Sequence, residues 1–379
     1  MSRALVTLVR PALLVSAVVI GAALVSVAMQ GDTIADRVLG QIDFVHNGQN
    51  LIDARGMLGL EGVAIDSTVT PNRLYVADNG NSRVLGYKDV TTFVDGGAAN
   101  LVIGQPDFSS GACDQGGNPS ANDLCDPIGV AVDDSGNLYV ADSDNSRVLE
   151  YNAPFAGCGS FPCVVGGSNE VFGQVSNFTT SNCDSPSPSA STLCFPVGVA
   201  VDLHGNLYIV DEGDNRVLEY NTPLSNTTAD LVLGQGGSFT STTANNGGLS
   251  AGSLSSPAAI ALDASGDLYV SDGNNNRVLE YSEPVTNGAS AELVFGQSGI
   301  FTSGAANNGG VSANSMSGPE GLTLDSNGNL YVADYNNNRV LEFNMPLTNS
   351  TADTVFGQGG SFSTSGCNQG AASPSSSSL

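Results

Sequence analysis

Positive charge is scarce in this sequence. Its 379 residues include 11 Lys and Arg against 37 Asp and Glu, a formal charge of −26 at pH 7. Without Arg3 and Arg10 at the start, nine basic residues face 37 acidic ones, a charge of −28. Five of those nine are Arg83, Arg147, Arg216, Arg277 and Arg339, and beyond Lys88 there is no other basic residue. Nucleic-acid binding needs a basic patch that displaces phosphate counterions, so it is excluded. Anionic lipid surfaces are disfavoured for the same reason. Histidine is scarcer still, with only His46 and His204. No Ser/His/Asp set stands out, and no G-x-S-x-G elbow occurs. Gly-rich segments such as NNGG (Asn245 to Gly248) follow no phosphate-loop pattern.

Long apolar runs are absent after Met29, so nothing beyond it can cross a membrane as a helix. The first 30 residues are different. Arg3 and Arg10 precede an uncharged apolar run from Pro11 to Met29, and Ser26-Val27-Ala28 offers small residues for cleavage. Residues 1–30 read as a secretory signal peptide, with an uncleaved membrane anchor through residues 11–29 as the alternative. The expected location is therefore secreted, periplasmic or cell envelope, or membrane-anchored by the N-terminus.

What the chain has in quantity is one repeat. PIGVAVDDSGNLYVADSDNSRVLEY (Pro127 to Tyr151) returns at Pro196 to Tyr220, Pro257 to Tyr281 and Pro319 to Phe343, with a looser copy from Gly62 to Tyr87. A period of about sixty residues marks an array. Each copy holds three short β-branched or aromatic runs, bounded by Gly, Asn, Asp and Ser, which read as strands. A fourth run, VFGQ or LVLGQ, lies near Phe172, Leu233, Phe295 and Phe356. Four short antiparallel strands per repeat form a propeller blade. Small residues on the first strand, such as Gly129 and Ala131, suit the crowded axis.

The motif P-x-G-V-A-V-D-x-x-G-N-L-Y-V-A-D-x-x-N-x-R-V-L-x-Y resembles the NHL repeat, over about residues 37–362. The resemblance implies an exported, bacterial-type all-β propeller, in a family whose rings are often six-bladed. Blades are expected near 58–108, 127–178, 196–239, 257–301 and 319–362, within a domain of residues 31–379. Long Gly/Ser/Asn-rich inserts separate each fourth strand from the next first strand. Some propellers of this type are lyases that hold zinc with several histidines, and this chain cannot supply them.

The seven cysteines carry a pattern of their own. Cys113 and Cys125 lie in one insert, Cys183 and Cys194 in the next. The aligned positions in the following inserts are Ala244 with Ser255 and Ala306 with Ser317. Joint presence and joint absence is how a disulfide behaves. Cys113–Cys125, Cys183–Cys194 and Cys158–Cys163 are the expected bridges, which fits an oxidising compartment. A cysteine-based zinc site would need close ligand clusters.

Cys367 is left over, at the place of Cys113 and Cys183. The fourth-strand motif occurs six times and the three-strand motif five. The surplus copy, Val38 to Phe44, reads as a closing strand that pairs with strands from the other end of the chain. The expectation is a six-bladed ring truncated at the C-terminus, with residues 363–379 as a cut insert and Cys367 free.

Five Asp/Arg sets recur across the loop from second to third strand: Asp78–Arg83, Asp142–Arg147, Asp211–Arg216, Asp272–Arg277 and Asp334–Arg339. Recurrence in every blade points to cross-strand ion pairs supported by Asn145, Asn275 and Asn337. Gln41, Gln105, Gln174, Gln235, Gln297 and Gln358 are expected to satisfy backbone groups between blades. Function should lie where blades differ, on the face bearing these loops and the inserts. Asp144, Glu212, Asp214 and Tyr335 are the metal-ligand candidates there, able in principle to hold Ca²⁺, although no twelve-residue calcium loop is present. No catalytic residue and no other cofactor is indicated. Two functions stay open: a non-enzymatic binding scaffold for a protein or glycan partner, and a metal-dependent hydrolase or lyase with oxygen ligands in the central channel.

Overall fold

The computed structural model describes residues 38–41 and 52–370. The leader, His46, residues 42–44 of the closing strand and residues 371–379 of the last insert lie outside them. The architecture is all-β, with only single turns of 3-10 helix between strands. Five four-stranded blades surround one axis, a β-propeller.

Blade 1 holds β1 (Leu60–Asp66), β2 (Arg73–Asp78), β3 (Arg83–Tyr87) and β4 (Leu101–Ile103). Blade 2 holds β5 (Pro127–Val132), β6 (Leu138–Asp142), β7 (Arg147–Tyr151) and, after the short β8 (Cys163–Val164), β9 (Glu170–Phe172). Blade 3 comprises β10 (Pro196–Val201), β11 (Leu207–Asp211), β12 (Arg216–Tyr220) and β13 (Leu231–Leu233). Blade 4 comprises β14 (Pro257–Leu262), β15 (Leu268–Asp272), β16 (Arg277–Tyr281) and β17 (Leu293–Phe295). Blade 5 comprises β18 (Pro319–Leu324), β19 (Leu330–Asp334), β20 (Arg339–Phe343) and β21 (Thr354–Gly357). Neighbours within each blade are antiparallel. β8 crosses to the preceding blade, running parallel to β4 and lending blade 1 a fifth strand.

Strand alternation gives every blade two apolar faces, and the cores lie between blades. In RVLEY of β7, Val148 points to blade 3 while Leu149 and Tyr151 point back to blade 1. The first strands β1, β5, β10, β14 and β18 line a central channel with a cavity of about 720 Å³. Their glycines let the blades close on the axis. A Cβ at Gly129 would lie 2.5 Å from the carbonyl oxygen of Val197 in the neighbouring blade, so a side chain there would push the two strands apart.

The cysteines are joined as Cys113–Cys125, Cys158–Cys163 and Cys183–Cys194, and Cys367 is free and exposed. Such bridges persist in oxidising surroundings. Among the described residues no helix is long and apolar enough to cross a membrane.

Candidate functional site

The recurrent Asp and Arg form a clamp inside each blade. Arg Nε lies 2.6–2.7 Å from Asp Oδ2 in all five, with both side chains fully buried. Blade 2 shows the whole arrangement. Asp142 Oδ2 accepts from Arg147 Nε at 2.6 Å and from Asn145 Nδ2 at 3.0 Å, while Oδ1 accepts the N–H of Cys125 at 2.6 Å. Arg147 spends its remaining donors on the insert ends: Nη1 on the carbonyl of Phe178 and Nη2 on that of Asp123. The same guanidinium fork holds Phe108, Phe239, Phe301 and Phe362 by their carbonyls in the other blades. A planar, permanently charged group with five donors is what such a seat requires. The clamp charges are thus fully consumed by structure.

The glutamines act within a blade and its own insert, not between blades as the sequence reading had it. Gln105 Nε2 donates to the carbonyl of Ser82, in the loop of the same blade, and to Ala112 in the insert that follows. Gln174, Gln235, Gln297 and Gln358 repeat this geometry. Inserts and second-to-third-strand loops therefore share one face, stitched together by Arg and Gln.

Of the four candidate ligands on that face, only Asp144 and Tyr335 are exposed. Asp214 is buried, with Oδ2 only 2.7 Å from Arg216 Nη2. It replaces the asparagine that other blades use to support the clamp. The four sit on loops of three different blades. Among the described residues, groups close enough to share one metal ion are Cys113/Asp114/Cys125 and Cys183/Asp184/Cys194. Their sulfurs are tied up in disulfides.

The channel carries a feature that sequence reasoning passed over. Glu61, Glu212 and Glu320 line its cavity. Glu61 and Glu320 follow Leu60 and Pro319, which pair with Asp78 and Asp334, so they stand at the insert-bearing end. Glu212, in the loop after β11, joins them there. Burial raises the Glu212 carboxyl, and repulsion from Glu320 raises it further. Glu320 is raised by burial and by Glu61, and Glu61 by burial. Among the described residues no arginine offsets these carboxyls. A signal existed in the repeat: the second inner-strand position is Ile128, Val197 and Ala258 in three blades but glutamate in blades 1 and 5.

A second acidic set lies buried between blades. Glu150, Glu219 and Glu280 stand beside Tyr139, Tyr208 and Tyr269 on the neighbouring strand. Burial, then nearby carboxylates, pushes Glu150 and Glu219 up to about 7. Both Glu150 oxygens lack a hydrogen-bond partner. Blade 1 has Gly86 there, with Phe155 packed beside it, its ring 5.4 Å from that of Tyr75 and tilted by 55°.

Ring, clamp and channel define a β-propeller whose blades hold their inserts from within. Residues 124–151, 254–281 and 316–343 match the NHL repeat family, so the chain is a β-propeller that carries NHL repeats in blades 2, 4 and 5. Relatives include Teneurin-3 of Mus musculus, 24% identical over 301 residues, and Teneurin-4 of Homo sapiens, 23% identical over 297. Each alignment covers 73% of this chain, and the chain spans about 10% of the length of those relatives. Among solved structures, virginiamycin B lyase from Staphylococcus aureus is 12% identical with a TM-score of 0.44, over 81% of this chain and 73% of that one. A streptogramin B lyase is 14% identical with a TM-score of 0.44, over 78% of this chain and 68% of that one.

Proposed function

We propose that this protein is an exported, non-enzymatic binding scaffold that takes a protein partner on its insert-bearing face. The observation that carries this reading is the acidic channel end. Glu61, Glu212 and Glu320 surround the cavity with no basic partner among the described residues, and Glu320 repels both of the others. A Lys or Arg side chain of a partner relieves that repulsion, and the overall acidity steers basic partners toward the face. Glycan recognition commonly leans on aromatic platforms. The sequence has no Trp, and Tyr335 is the exposed aromatic among the four candidates on this face. A protein partner is therefore favoured over a glycan.

The test is calorimetric titration with a lysine-rich decapeptide, an uncharged control peptide, CaCl₂ and a neutral oligosaccharide. The lysine peptide should bind, weaken with salt, and lose about tenfold in affinity in the triple Glu→Gln variant at 61, 212 and 320, since each partly exposed pair is worth roughly 0.5 kcal/mol. Equal binding of the uncharged peptide or the sugar, or no response to the triple substitution, refutes the reading. Calcium binding lost in the same variant would favour the metal-dependent alternative.

A further inference from the structure

Three blade-to-blade faces show the rule most clearly. Each first strand presents one β-branched side chain to the blade before it: Val130, Val199 and Ile260, all 8% exposed. Val63 is the same position in blade 1, and it is 66% exposed. The opposite face of the opening belongs to blade 5. Tyr331, Ala333 and Val340 are half-buried there, whereas Tyr139, Ala141 and Val148 of blade 2 are covered by blade 3. A Cβ at Gly321 would meet only Ala333 of its own blade, at 3.7 Å. Blade 5 and blade 1 thus each offer a face of the usual kind without the usual neighbour.

The outer border of this opening is already built. Gly40 packs on Met57, its Cβ position 3.1 Å from the Met57 sulfur, as Gly173 packs on Leu193 and Gly296 on Met316. The Val38 N–H donates to Asp95 Oδ1, and the Val38 carbonyl accepts from the N–H of Gly96. Val232, in the fourth strand of blade 3, is covered in the same way by Asn287 and Gly288 of blade 4. Val38–Gln41 therefore lies where the fourth strand of one more blade would lie, and blade 1 treats it as one.

We propose that the opening between blade 5 and Val38–Gln41 is the seat of one three-stranded segment of the same repeat, of the type Pro319–Phe343. Its third strand pairs with the inner edge of Val38–Gln41, its second and third strands cover Val63 as those of blade 1 cover Val130, and its first strand closes on blade 5. A second copy of the chain is a poor occupant. It would bring whole blades, and their fourth strand would collide with the one already in place. Closure also leaves no open sheet face in the ring.

The test compares the full chain with the same chain extended after Leu379 by a copy of residues 317–343. A third chain carries that copy with Leu322→Asp and Val332→Asp. Val63→Cys, in a Cys367→Ser background, reports on the seat through its rate of maleimide labelling. The intact extension should stay monomeric, melt about 5 °C higher or more, and slow labelling at least about tenfold, while the disrupted copy does neither. The amide of Leu39 should gain hydrogen-exchange protection only with the intact copy. Should the extended chain precipitate, the same 27 residues added as a synthetic peptide are expected to slow labelling of the unextended chain. Unchanged labelling and melting in both formats overturns the proposal. So does an unextended chain that is already a discrete dimer with Val63→Cys shielded.

Discussion

Replacing Asp214 by asparagine is expected to stabilise the protein at neutral pH and to do little in acid. Asn81, Asn145, Asn275 and Asn337 hold this corner in the other blades, donating to the clamp aspartate at 2.8–3.0 Å. In blade 3 a carboxyl stands there instead, buried against Asp211 and Asp184. Its Oδ2 is near Arg216 but makes no hydrogen bond. Burial, then repulsion from Asp211, pushes Asp214 up to about 9 despite the attraction of Arg216. The folded state thus holds a proton that the unfolded chain releases above the ordinary aspartate range. An acid with a raised folded pKa gives stability that is full below its unfolded pKa and declines as pH rises toward the folded one. At pH 7 that proton uptake has a ceiling of about 4 kcal/mol, at roughly 1.4 kcal/mol per unit. Contact with Arg216 and the hydrogen bond with Asp184 reduce it, so a gain of about 2 kcal/mol is expected for Asp214→Asn. Urea unfolding at pH 4, 5.5, 7 and 8.5 measures it. The gain should grow with pH and fall below about 0.5 kcal/mol at pH 4. A gain that is flat with pH, or a loss at pH 7, would refute the reasoning.

Other substitutions test the remaining structure. Arg277→Lys keeps the charge but loses the fork that holds Asp272, Phe301 and Ser253, and should cost about 3 kcal/mol by chemical denaturation. A cost under about 1 kcal/mol would show the clamp to be dispensable. Joint Cys183→Ala and Cys194→Ser installs what blade 4 carries at Ala244 and Ser255. It should cost about 2–3 kcal/mol through a looser unfolded state, with the circular dichroism spectrum unchanged. Glu150→Gln with Glu219→Gln should flatten the fall in stability between the ordinary glutamate value of 4.5 and about 7, where the folded chain keeps protons the unfolded one has lost. The effect is about 1–2 kcal/mol per site in pH-dependent melting, and an unaltered slope counts against it.

The blades were legible because their signal is local and repeated. β-branched alternation, turn residues and the Asp–Arg spacing recur in phase, so strands and clamp follow from periodicity alone. The paired loss of cysteines at Ala244/Ser255 and Ala306/Ser317 identified two bridges on the same logic. Residues whose meaning depends on a neighbouring blade were harder to read. Glu150 shares a strand face with Val148, and its parity alone marks it as facing a core. Asp214 looks like a surface carboxylate until it is aligned with Asn145 and Asn275. Glu61 and Glu320 are far apart in sequence and meet only because the blades circle an axis.

The Arg fork has a consequence for engineering. Each insert between two blades is gripped at its start by the arginine of the blade before it and at its end by the arginine of the blade after it, as Phe108 is by Arg83 and Asp123 by Arg147. What lies between the grips contributes little to the cores between blades. Those middle stretches can be randomised as the variable loops of a display library, side by side on one face, while the framework beneath them stays fixed.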